Sequence, residues 1–377
     1  MMKLRFVFFL ILSGSVLFVY KLVAHINVAK EKFRGVRSGY TGARSPRMFM
    51  IQAGLRSQFA LGFMDPPLPP VSTISVPTVP TDLDWTVNQT ALNMHRADIE
   101  QFVDAERNIS LVRSEVRVGQ VMHFDYSEQK YVFPISASLY SLIPEESPFQ
   151  NKHYNACAVV GSGGILSNSY CGNEIDRADF VFRCNFAPID KYKSHVGSKT
   201  NFTTFNPSVL EKYFNNLQTI YDRARFLGEL RRLKGAVLWI PAFSFHGSNM
   251  VTRTLTDFFL EHERQFNPKL NLAWPGNVMK HFSDFWKTKG LSPKRLSTGM
   301  IVYTLATMFC EEVRLYGFWP YSVAPDHTPL SYHYYDKKGT TFTMKWKQAH
   351  QLPEEFNLLQ QLHKHGVLKL TVTPCSS

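Results

Sequence analysis

The segment 157–206 constrains this chain more than any other. It opens with a short apolar run, Cys157-Ala-Val-Val, which breaks into a glycine-rich turn, Gly161-Ser-Gly-Gly. A second apolar run follows, Phe180-Val-Phe-Arg-Cys-Asn, and then a polar tip, Thr203-Thr-Phe-Asn-Pro. Strand, glycine turn and strand in that order is how an α/β domain holds a nucleotide: glycines let the backbone approach a phosphate, and the next helix offers it free N–H groups. Apolar runs at 157–160, 180–183, 236–240, 270–274 and 313–318 alternate with helical patterns at 210–217, 252–263 and 298–312. That alternation predicts an α/β fold with a Rossmann-like, doubly wound, mostly parallel sheet.

A nucleotide site raises the question of nucleic acid, because the formal charge is +12. Residues 1–47 carry nine Lys/Arg and one Glu, however, and the other 330 residues carry only +4. The basicity belongs to the amino-terminal region, which argues against a nucleic-acid partner. After Lys3 and Arg5, residues 6–24 form a mostly apolar run whose one charge, Lys21, can snorkel. Nineteen residues at about 1.5 Å each span about 28 Å, the core of a thin bilayer. The expected organisation is a cytoplasmic tail at 1–5, a transmembrane signal anchor at 6–24, a stem and proline-rich linker at 25–84, and a lumenal catalytic domain at 85–377. A cleaved signal peptide ending at Ala24 is the competing reading, for which the run is long.

The five cysteines, at 157, 171, 184, 310 and 375, contain no CxxC pair, so neither a zinc ribbon nor a thioredoxin-type motif is present. An odd count in an oxidising compartment implies two bridges and one free thiol. Cys184 is the candidate free thiol, because it sits in an apolar run where a buried thiol packs as a small hydrophobe. This use of cysteine places the body of the chain in the lumen, as a type II membrane protein. Sequons at Asn88, Asn108 and Asn201 permit glycosylation there.

Four local features could carry chemistry, each with a plainer structural reading beside it. The Gly161-Ser-Gly turn could cradle a phosphate or be a tight turn without a ligand; Leu166 stands where a dinucleotide fingerprint wants a third glycine or alanine. Ser297-Thr-Gly opens the apolar segment 300–309, and could bind a phosphate or only cap a helix. Tyr332-His-Tyr-Tyr-Asp sets one imidazole among three phenols, as a site or as a packed aromatic loop. His350 stands just before a proline-started helix expected over 354–362, as a functional imidazole or a satisfied first-turn histidine. Metal chemistry finds little support: Asp82-Leu-Asp has metal-holding spacing but lies in the proline-rich linker, and no HExxH, GxSxG or Walker sequence occurs.

Taken in order, these pieces resemble the sialyltransferases, which carry four sialyl motifs. The large motif is matched by 157–206, through Cys-Ala-Val-Val-Gly-Ser-Gly-Gly-Ile-Leu, Cys171-Gly and Phe-Arg-Cys-Asn. The small motif is matched from Leu296-Ser-Thr-Gly through Cys310 to Tyr316-Gly-Phe-Trp-Pro, the third by His333-Tyr-Tyr-Asp, and the very small motif by His350 with Glu355. Two runs, Asn206-Pro-Ser-Val-Leu-Glu-Lys-Tyr and Leu291-Ser-Pro-Lys-Arg-Leu-Ser-Thr-Gly, are especially similar to type III α-2,8-sialyltransferase.

The resemblance implies a GT-A-like variant of the Rossmann architecture and an inverting, metal-independent transfer from CMP-sialic acid, with no cofactor. The expected acceptor is the 8-hydroxyl of a terminal sialic acid on a glycoprotein or glycolipid, extended by one or a few residues, in the Golgi membrane and in a possible homodimer. By the same resemblance His350 is the general base and His333 stabilises the departing phosphate. Ser162, Gly163, Asn185, Asn206, Ser297, Thr298, Gly299 and Trp319 hold the donor. Cys157 pairs with Cys310 and Cys171 with Cys375. One departure stands out: these enzymes usually carry Asn between the two glycines of the turn, where this chain has Ser162. That exchange leaves room for a fold that binds without turnover. Transfer to another linkage competes with the α-2,8 reading, and the glycine turn taken alone would also fit a nicotinamide dehydrogenase.

Overall fold

The computed structural model describes residues 85–266, 270–337 and 349–375; the tail, anchor and stem expected over 1–84, with Asp82 and Asp84, lie outside them. Two short strands, β1 (Val121–His123) and β2 (Val132–Pro134), form an antiparallel hairpin. Seven others build the main sheet: β3 (Tyr154–Val160), β4 (Phe180–Arg183), β5 (Phe202–Thr204), β6 (Val237–Trp239), β7 (Asn271–Ala273), β8 (Cys310–Tyr316) and β9 (Lys369–Thr371). Their order is β7-β6-β5-β4-β3-β8-β9, and all pairings are parallel. The helices that cover the sheet and build the site are α1 (Gln89–Glu100), α2 (Pro207–Phe214), α3 (Ile220–Leu230), α4 (Asn249–Glu261), α5 (Met279–Thr288), α6 (Thr298–Phe309) and α7 (Leu352–Lys364).

A parallel sheet is buried on both faces, so its strands need apolar side chains on both. Val159, Phe182 and Trp239 join one core with Ile99 of α1, Phe285 of α5, the body of α6 and Phe356 of α7. Their neighbours point the other way: Leu238 packs with Leu210, Phe226 and Phe258 of α2, α3 and α4, while Ala158, Val160 and Val181 form a smaller cluster around Leu166 and Tyr316.

Helix α6 is the central buried element, with every residue from Met300 to Phe309 out of solvent. Two of its threonine hydroxyls are satisfied within the helix, Thr304 donating to the Met300 carbonyl at 2.7 Å and Thr307 to that of Tyr303 at 3.0 Å. At its end, Arg96 of α1 donates to the carbonyls of Thr307 (2.9 Å) and Cys310 (2.7 Å), meeting acceptors a helix terminus leaves free and placing positive charge at the negative pole. The chain passes from α6 straight into β8, and Cys310 at that junction is bonded to Cys157 of β3. A second bridge, Cys171 to Cys375, ties down the carboxyl-terminal segment. Cys184 is free and buried, its thiol pushed up to about 12 by desolvation, and therefore unreactive.

Several boundaries differ from expectation. The polar tip is not a tip: Phe202-Thr-Thr forms β5, a central strand paired with β4 and β6. Three residues flanked by polar ones carry little periodic signal, and the two threonines look like a loop until their partners are seen. The pattern over 298–312 belongs to two elements, because α6 stops at Phe309 and β8 starts at Cys310 without a connecting loop. Strand β9 and helix α5 had no reading in the sequence.

Candidate active site

Sheet order reverses between β3 and β8, so the loops leaving their carboxyl ends diverge and open a crevice. A cleft of about 240 Å³ lies there. All ten candidate positions line it: Ser162, Gly163, Asn185, Asn206, Ser297, Thr298, Gly299, Trp319, His333 and His350.

The glycine turn forms the floor, and its glycines serve backbone packing. A Cβ on Gly161 would sit 2.8 Å from the Gly317 carbonyl oxygen, one on Gly163 2.5 Å from the same atom, and one on Gly164 would overlap the Ser331 carbonyl. The loop carrying His333 lies across this turn like a short strand. Gly164 N–H donates to the Tyr332 carbonyl at 3.2 Å and Tyr334 N–H to that of Ser162 at 3.1 Å, which sets His333 opposite Gly163. The Ser162 hydroxyl is buried and has no hydrogen-bond partner among the described residues.

Helix α6 points its amino terminus into the cleft. Ser297 caps it, its hydroxyl accepting the Met300 N–H at 3.1 Å. Thr298 and Gly299 occupy the first two helical positions, where an N–H has no intrahelical acceptor, so they are free to meet an anion. Asn206 donates to the Thr298 hydroxyl at 3.1 Å and Asn185 approaches the same oxygen at 3.5 Å. Strand β5 holds Asn185 in place. The Thr204 hydroxyl accepts Asn185 N–H at 2.8 Å and the Thr203 hydroxyl accepts Phe186 N–H at 3.2 Å, fixing both residues at positive φ, 57° and 54°. Trp319 is part of the wall: its indole N–H is spent on the Val323 carbonyl at 2.8 Å and its ring stands edge-on to Phe356.

The two histidines differ in their surroundings. His350 Nδ1 lies 2.8 Å from the Arg295 carbonyl, so Nδ1 carries the proton and Nε2 keeps its lone pair. Arg295 N–H in turn donates to the Ala349 carbonyl at 2.9 Å, clamping the segment. Burial lowers the His350 pKa, the Arg295 carbonyl opposes this and the Arg295 charge reinforces it, which favours the neutral form. His333 is lowered as well, burial prevailing over Asp336, whose carboxylate is 3.3 Å from Nδ1. Its ring stacks on Tyr335 at 4.9 Å.

Glu355 received no role from the sequence, although its fixed spacing from His350 was the signal. It is 3% exposed, on the first turn of α7, and accepts the Ser297 N–H at 3.0 Å. Burial pushes its carboxyl up to about 7 against the opposing Ser297 hydrogen bonds. Among the described residues no group of three or more His, Cys, Asp or Glu side chains is placed to hold a metal ion. The arrangement combines an oriented neutral imidazole, a helix terminus open to an anion, and amide and hydroxyl groups converging between them. That is equipment for transfer from a phosphorylated donor to a hydroxyl.

The sequence pattern of glycosyltransferase family 29 (sialyltransferase) matches residues 106–367. The chain is 36% identical over 294 residues to mouse alpha-2,8-sialyltransferase 8F, covering 78% of this chain and 71% of that protein. It is also similar to the crystal structure of a mammalian sialyltransferase, at 18% identity and a TM-score of 0.49, over 78% of this chain and 100% of that one. A mammalian sialyltransferase in complex with Gal-beta-1-3GalNAc-ortho-nitrophenol gives 16% identity and a TM-score of 0.48 over the same shares. The chain belongs to glycosyltransferase family 29, the sialyltransferases.

Proposed function

We propose that the protein is an inverting, metal-independent α-2,8-sialyltransferase that moves sialic acid from CMP-sialic acid to the 8-hydroxyl of a terminal sialic acid on a glycoprotein or glycolipid. Its place is the Golgi membrane, held by 6–24, with the catalytic domain in the lumen. The observation that carries the reading is the Nε2 of His350, which has no hydrogen-bond partner among the described residues, in the cleft to which α6 turns its open N–H groups. His350 Nε2 takes the proton of the acceptor hydroxyl as its oxygen attacks the anomeric carbon from the face opposite the phosphate. The bond from that carbon to the phosphate oxygen breaks, and CMP leaves with the electron pair. The N–H groups of Thr298 and Gly299, with His333, meet the charge that develops on the phosphate. The arriving phosphate is a second anion beside His333, so binding favours the imidazolium between it and Asp336.

The test is transfer from CMP-sialic acid, with EDTA present, by the secreted form lacking 1–24. The acceptors are a glycan ending in α-2,3-sialylated galactose and its unsialylated counterpart. An α-2,8-linked product on the sialylated glycan alone supports the proposal. Product on the unsialylated glycan replaces it with another linkage, dependence on metal overturns the metal-free step, and CMP binding without product favours a binding protein.

A further inference from the structure

A larger cleft, about 1020 Å³, lies at the carboxyl ends of β4 and β5 and shares Asn185 with the site just described. Arg183, from β4, is on its lining and only 3% exposed. Its Nε and one terminal nitrogen donate to the Lys199 carbonyl and the Thr200 hydroxyl at 2.8–3.0 Å, while the other terminal nitrogen makes no hydrogen bond among the described residues. Among those residues no carboxylate forms an ion pair with it; nearby Asp176 accepts the N–H groups of Ser198 and Lys199. With Asp176 acting on it only from a distance, the buried guanidinium has its charge compensated in part.

The rim adds to that charge. Lys191, Lys193, Arg225 and Arg232 line it against two carboxylates, Asp190 and Glu229. Both acids are engaged, Asp190 by Arg232 and Lys193, and Glu229 by Arg232. Lys191 makes no ion pair among the described residues, and Arg225 lies over the Phe214 ring at 5.0 Å, near Asp222 but without an ion pair among those residues. Tyrosines 192, 213 and 335 supply flat apolar faces of the kind sugar rings stack on, and Tyr335 is the residue on which His333 stacks.

We infer that this cleft is a second binding site, for a carboxylate-bearing sugar of the acceptor glycan inward of the residue being extended. The inference rests on the proposed use of sialylated acceptors, and Asn185 and Tyr335 are the route between the two clefts. It gives the enzyme a preference for acceptors with at least two acidic sugars.

The probe is an α-2,8-linked sialic acid trimer, with a neutral galactose trimer as control, titrated by calorimetry into the lumenal domain. Calorimetry reads binding whether or not any product forms, so a failed α-2,8 assay does not decide it. The expected result is binding of the acidic trimer alone, weakening as sodium chloride rises, and at least tenfold weaker in Lys191→Ala/Arg225→Ala, whose exposed positions keep the fold and melting temperature. Lys191→Glu is expected to weaken it further. In transfer assays the KM for the trimer relative to a singly sialylated glycan is expected to rise in the double variant. Unchanged affinity in the double variant, or equal binding of the neutral trimer, overturns the inference.

Discussion

The Glu355 carboxylate accepts the backbone N–H of Ser297 at 3.0 Å, joining the first turn of α7 to the cap of α6. His350 precedes α7 by two residues, and Thr298 and Gly299 follow Ser297, so this bond, with the two between the Arg295 backbone and the His350 segment, sets the proposed base against the proposed phosphate contacts. Glu355 is a positioning residue on this geometry.

Its raised pKa gives a stability signature. A carboxyl that titrates near 7 when folded and near 4.5 when free binds more protons folded, so stability is greatest below about 4.5 and falls as pH rises through 7. Glu355→Gln keeps an acceptor for Ser297 and removes the charge. Urea denaturation between pH 5 and 8 should show the fall flattened, by about 3 kcal/mol over the whole window. Glu355→Ala leaves the Ser297 N–H unpaired at about 1–3 kcal/mol, with a rise in donor KM. A pH slope unchanged in Glu355→Gln would remove Glu355 as its source.

His350 should control the acid limb of the rate profile. Its pKa lies below 6.5, so the base form predominates at neutral pH and kcat/KM falls tenfold per unit once pH drops through that lowered value. Arg295→Gln keeps the carbonyl that orients Nδ1 but removes a charge that depresses the imidazole, and the limb should move to higher pH. His350→Ala should lower kcat by roughly 10²–10⁴-fold without loss of fold. Near-normal turnover by the alanine variant would exclude the imidazole as base.

Legibility followed length and chemistry. The alternation of apolar runs was enough for the doubly wound sheet, and the motif residues were enough to name ten positions that meet in one cleft. Strand β5 escaped because it is only Phe202-Thr-Thr, and its hydroxyls serve a loop nineteen residues earlier in the sequence, which no local pattern encodes. The glycine turn was read as a phosphate cradle or a tight turn, and neither reading contained the close approach of Gly161 and Gly163 to Gly317, more than a hundred and fifty residues away. Glu355 was named only as a motif partner because its role is a bond to Ser297, fifty-eight residues away. What sequence reasoning missed was in each case a contact between distant segments.

The bridge from Cys157 to Cys310 closes a loop of sequence separation 153 and pins α6 and β8 to β3. Loop-closure entropy for that span is about 5 kcal/mol. Cys157→Ala/Cys310→Ala should lose a large part of it, seen as a lower urea midpoint at unchanged slope, and donor binding should weaken because both strands feed the cleft. A variant as stable as the parent would show that β3–β8 pairing suffices without the bond.

Ser162 offers the sharpest test of the donor site. Its hydroxyl is buried at the floor of the cleft without a partner among the described residues, so a ligand that reaches it gains a hydrogen bond the empty protein lacks. A bond to a charged phosphate is worth about 1.5–3 kcal/mol, or roughly ten- to a hundredfold in affinity. Ser162→Ala should therefore raise the donor KM by about that factor. Ser162→Asn restores the residue usual in the family, with a longer reach and both a donor and an acceptor, and should lower it below the parent value. Fluorescence titration with CMP separates binding from turnover. If alanine and asparagine leave CMP affinity alike, the hydroxyl does not touch the nucleotide, and the donor lies nearer α6 than the glycine turn.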